Sequence, residues 1–137
     1  MHDVSSPCCF IHHSSFILEL EEFITKHGFI DASSEETMAG QQNLLLAHFY
    51  KNSPRFTAKH CGQAQGFNGY AVYWLHMVVL NCNLSRTQHP KAYFYKTDGH
   101  ICFLCLDSHI QNYKDSKLRS VANQRLLEMI EVLKTHR

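Results

Sequence analysis

The sequence predicts an α+β domain: an antiparallel meander of three strands, or slightly more, packed by two N-terminal helices and one long C-terminal helix. Three observations predict it. Apolar residues recur at helical spacing in three stretches, two before residue 52 and one after residue 115. Between residues 70 and 107 they run instead in dense blocks rich in aromatic and β-branched types. Two of those blocks flank Asp98-Gly99, a hairpin-turn pair. At 137 residues, 45% apolar and 18% charged, the chain has the size and composition of one globular domain. Disorder, collagen and coiled coil are excluded. Residues 1–13 read as a flexible lead and 14–137 as the domain.

Taken in order, the first helix runs from Ser14 or Ser15, either of which suits a cap, to about His27. Phe16, Leu20, Phe23 and Ile24 share one face, and Gly28 suits the stop. Ser33-Ser34-Glu35-Glu36 is a capping box, with Ser33 as cap, for a second helix running to about Lys51. That helix buries Leu45, Leu46 and Phe49 and stops at Ser53-Pro54. Residues 54 to 69 show no period; a connection this long is a functional loop or hides a short element. Tyr70 to Leu80 is apolar on both alternate faces, as a doubly covered central strand is, with a buried helix as the alternative. Ala92-Tyr93-Phe94-Tyr95 and His100 to Asp107 form a hairpin through Asp98-Gly99, which supply the positive φ angles of a type I′ turn. The last helix spans about Ser116 to Lys134 on a stripe of Leu118, Val121, Ala122, Leu126, Met129, Ile130 and Leu133, with Asp115 as its cap. Three amphipathic helices cover a small sheet well enough to make Tyr93, Phe94 and Phe103 core residues.

The start of the chain lacks a cationic flank before an apolar run, and Tyr70 to Leu80 is too short to span a bilayer, so an intracellular setting, cytoplasm or nucleus, without membrane association is expected. A reducing compartment makes the six cysteines free thiols rather than disulfides. Together with eleven histidines they raise the question of zinc. Cys9-x-x-His12 and Cys102-x-x-Cys105 are the candidate ligand pairs. Positions three apart on a strand point to opposite faces, so Cys102 and Cys105 cannot share an ion unless a bulge breaks the strand. No phosphate loop, paired-carboxylate motif or recognisable thiol-enzyme motif is present, and no catalytic residue is assigned.

Charge is the most informative feature. Residues 1–40 hold seven acids and one lysine, net −6, whereas 41–97 hold six bases and no acid, net +6. The near-neutral total, +1, hides this division. It points first to a small non-catalytic interaction domain, an adaptor or complex subunit, binding a protein partner or a second copy of itself by charge complementarity. The alternative is an RNA- or DNA-binding surface built from Lys51, Arg55, Lys59, His60, Arg86, His89, Lys91, Tyr93, Tyr95 and Lys96, in which cations interleave with aromatics; a metal-independent nuclease would use the same groups. A third class is a zinc-stabilised module on the His/Cys residues.

Overall fold

The computed structural model describes residues 9–26, 33–50, 61–77, 79, 89–107 and 114–135. The elements are β1 (Cys9–His12), α1 (Ser14–Lys26), α2 (Ser34–Tyr50), β2 (Cys61–Gln63), β3 (Val72–His76), β4 (Lys91–Lys96), β5 (His100–Asp107) and α3 (Asp115–Lys134). The five strands form one sheet in the order β1-β5-β4-β3-β2. The α+β class therefore holds, but the sheet is mixed rather than an antiparallel meander: β1 runs parallel to β5, and the other pairs are antiparallel. Two edge strands have been added to the expected α-α-β-β-β-α order. β1 lies in the segment read as a flexible lead, and β2 is a short element inside the stretch that showed no period. Residues 54–60 of that stretch lie outside the described residues.

The helices cover both faces of the sheet. On one face α1 buries Phe16, Leu20, Phe23 and Ile24, and α2 adds Met38 and Leu45, against Leu75, Ala92, Phe94, Ile101 and Phe103. The i, i+4, i+7, i+8 spacing of the α1 set produces this contact. Ring stacking reinforces it: Phe103 lies 5.0 Å from Phe16, and Tyr73 5.4 Å from Phe94. On the other face α3 lays Leu118, Ala122, Leu126 and Met129 over Val72, Tyr93, Cys102, Leu104 and Cys105. The result is three layers. Residues 72–76 are strand, not buried helix, because alternate side chains feed the two cores: Val72 one, Leu75 the other.

Local chemistry departs from expectation at three points. The imidazole of His13, not Ser14 or Ser15, caps α1: its Nδ1 accepts the Ser15 backbone N–H at 3.1 Å. Neither Asp98 nor Gly99 adopts a positive φ, so the hairpin turn is not type I′. It is closed instead by the Thr97 N–H donating to the His100 carbonyl at 2.9 Å and the His100 N–H donating to Thr97 Oγ1 at 3.0 Å. Asp115 opens α3 but does not cap it; its carboxylate accepts from Lys91 Nζ at 2.9 Å and from the Tyr93 hydroxyl at 2.7 Å. The Ser33 cap does form: its Oγ accepts the Glu36 N–H at 3.1 Å. Among the described residues no helix is long and apolar enough to cross a membrane.

Candidate binding groove

β5 is the second strand of the sheet, and its outer side is closed in two different ways. Over its first half β1 supplies the partner: Cys9 N–H donates to the Gly99 carbonyl and His13 N–H to the Phe103 carbonyl, each at 2.8 Å. At His13 the chain leaves the sheet and turns into α1. Over the second half a side-chain pair takes the strand's place. Arg125 of α3 donates from Nη1 to the Leu104 carbonyl at 2.9 Å, and Glu19 of α1 accepts the Leu106 N–H at 3.4 Å. The two side chains meet each other through two 2.8 Å bonds, Nη1 to Oε1 and Nη2 to Oε2. This bidentate pair ties the helix on one face to the helix on the other around the edge of β5. His13 adds a second tie, its Nε2 standing 2.5 Å from Glu128 Oε1 of α3. With Nδ1 accepting from Ser15, the proton belongs on Nε2.

β1 is itself an edge. Its odd-numbered residues spend their backbone groups on β5, so alternation turns those of Phe10 and His12 to the opposite side. β1 also lines an open groove of about 570 Å³ on the α1/α2 side of the sheet. Phe10 and Phe103, 6.5 Å apart, floor it with Ile17. The N-terminal half of α2 forms the far wall with Met38, Ala39 and Gln42. Glu21 of α1 and Glu35 of α2, both exposed, stand on the rim with Ser34, whose hydroxyl donates to Glu21 Oε2 at 3.5 Å. The groove-lining base is His12; burial and the neighbouring His13 hold its pKa below the ordinary imidazole value. The lining includes no Lys or Arg among the described residues.

The expected nucleic-acid residues are not gathered into one surface within the described part of the chain. Lys51, Arg55, Lys59, His60 and Arg86 lie outside it. His89 serves the backbone, its Nδ1 accepting the Val79 N–H at 2.9 Å. Lys91 is one-fifth exposed, pairs with Asp115 and sits over the Trp74 and Tyr93 rings. Tyr93 is fully buried, and burial and the Asp115 hydrogen bond push its hydroxyl pKa up. Tyr95 packs edge-on against Tyr70 at 5.8 Å, with its pKa also raised by burial. Lys96 lies on the other face of the sheet, its Nζ 5.3 Å from the Phe49 ring centre. Both segments of opposite charge instead reach α3, Glu19 through Arg125 and Lys91 through Asp115.

The cysteines correct a physical premise. Tyr93 faces Cys105 while the next residue, Phe94, faces Phe103, so β5 bulges at Leu104. The bulge breaks the alternation that would have separated Cys102 from Cys105, and both lie in the core under α3. They meet an apolar environment there. Burial pushes the thiols of Cys61, Cys102 and Cys105 up to about 12, and the Cys105 thiol donates to the Leu118 carbonyl at 3.6 Å. Cys9 is exposed on β1, and His12 lines the groove on the α1/α2 side, so the four candidate ligands are not brought together. Among the described residues no three His, Cys, Asp or Glu side chains converge as a metal group would require.

Sequence reasoning missed β1 with Phe10, and the side-chain ties of Glu19 to Arg125 and of His13 to Glu128. The acidity of residues 1–40 was a signal for the rim, though not for the groove it borders. No family model, curated protein or solved structure matches the chain.

Proposed function

We propose that this domain is a non-catalytic interaction module, an adaptor or complex subunit, that holds a segment of a protein partner in the groove beside β1. One observation carries this: β1 is an edge strand and also lines an apolar-floored groove of about 570 Å³, with α1 and α2 supplying the rest of its lining. The setting that goes with this reading is intracellular, cytoplasm or nucleus, where cysteines stay free thiols, as Cys9, Cys61, Cys102 and Cys105 are. The spending of Lys91 on Asp115 and the burial of Tyr93 favour this over a nucleic-acid surface.

The test is selection of random linear peptides displayed on phage against the full chain, followed by binding to an Ala39→Trp variant. Ala39 is an exposed helical position on the groove wall, so the indole obstructs the groove without entering the core. Enriched peptides are expected to lose about tenfold or more in affinity on Ala39→Trp while the melting temperature stays unchanged. Peptides that bind the variant as tightly as the parent, or a library that yields no enrichment, overturn the assignment.

A further inference from the structure

We infer that the segment held in this groove is an extended, cation-bearing stretch of the protein partner that adds as a strand to β1. The inference rests on the groove reading above and names the chemistry of its occupant. The extended conformation follows from the edge itself. Phe10 and His12 turn their backbone donors and acceptors away from β5, at the edge of a strand that lines the groove, and an added strand meets that pattern with groups of its own. A four-residue edge matches a ladder of four to five partner residues, about 13 Å of extended chain. Alternation then divides the partner's side chains. Every second one falls on the Phe10 face of the sheet, the side of the groove, and is apolar, and the intervening ones fall on the opposite face.

The charge follows from the rim. Glu21 and Glu35 stand on different helices on the α1/α2 side of the groove, both exposed, and belong to the −6 segment of the sequence. The hydroxyl of Ser34 reaches the Glu21 carboxylate at 3.5 Å. A lysine or arginine at the end of the docked segment reaches these carboxylates, whereas an acidic residue or a phosphate meets repulsion from both. Apolar floor, strand edge and acidic rim together specify a short segment of alternating apolar residues carrying Lys or Arg at its end.

The displayed-peptide selection tests this with two further arms. A fluorescent synthetic peptide of the selected consensus is titrated into the full chain and into a Glu21→Lys/Glu35→Lys variant. Its affinity is expected to fall about tenfold on the double reversal. Exchanging Lys and Arg for Glu in the peptide is expected to restore binding to that variant. In the second arm single backbone amides of the peptide are N-methylated: one alternate set is expected to cost tenfold or more and the other to cost little. A consensus without Lys or Arg, or equal binding to the charge-reversed variant, overturns the cationic segment. Equal effects of methylation at both sets overturn strand addition. In each of these cases sensitivity to Ala39→Trp leaves the groove assignment standing, and insensitivity removes both.

Discussion

The two halves of the outer side of β5 solve one problem by different means. From His100 to Phe103 the strand is completed by backbone, through parallel pairing with β1. From Leu104 to Leu106 it is completed by a guanidinium and a carboxylate. Backbone pairing is insensitive to side-chain identity, so the first half tolerates change wherever packing is kept. The second half depends on two particular residues, because a lost member leaves the other desolvated and a strand carbonyl or amide without its partner. An edge closed by side chains also ends the sheet at that point, whereas β1 is the outermost strand on that side among the described residues.

Four measurements sharpen or break this contrast. The largest effect belongs to the core under the backbone-paired half. Phe103→Ala removes a ring that is 1% exposed and stacks on Phe16, and is expected to cost about 3–5 kcal/mol in urea unfolding. Next come Arg125→Ala and Glu19→Ala, each expected to cost about 2–3 kcal/mol. The double variant should lose about 1–2 kcal/mol less than the sum of the two. Strict additivity would mean that the two side chains do not act as one clamp.

The third measurement uses the thiols, of which Cys102 lies on the backbone-paired half and Cys105 on the clamped half. Their folded pKa values, about 12, lie above the ordinary thiol value of 9.0, so the unfolded chain gives up these protons first. The stabilisation they contribute is complete below pH 9 and is lost as pH rises toward 12. Each is expected to remove up to about 1.4 kcal/mol of unfolding free energy per pH unit in that window. Comparing the pH slope of Cys105→Ala with the parent isolates the clamped half; an unchanged slope would place the Cys105 thiol in water rather than in the core. The smallest effect is at the junction of the halves. His13→Ala loses the α1 cap and the Glu128 tie for about 1 kcal/mol, and His13→Asn recovers part of it, because an amide oxygen also accepts the Ser15 N–H.

The three helices and the β4–β5 hairpin were legible because periodicity is a local property. Phe16, Leu20, Phe23 and Ile24 declare a helical face without reference to the rest of the chain. β1 was not legible. Cys9-Phe10-Ile11-His12 is too short to show alternation, and its partner lies about 90 residues away, with nothing nearby to mark it. The bulge at Leu104 left no trace either, because every residue from Ile101 to Leu106 is apolar and a phase slip displaces no polar group. Alternation would therefore separate Cys102 from Cys105 only on a strand without this bulge. The acidic rim was visible as net charge, yet the groove it borders depends on β1 and went unseen.

The pairing of β1 with β5 has a consequence for how the groove comes into being. It joins Cys9 to His100, the longest-range contact in the sheet, while the β4–β5 hairpin closes within a few residues. Chain-closure entropy makes the hairpin early and the first strand late. The groove is therefore among the last surfaces to assemble, and a nascent chain displays it only after the whole sheet has been synthesised and folded.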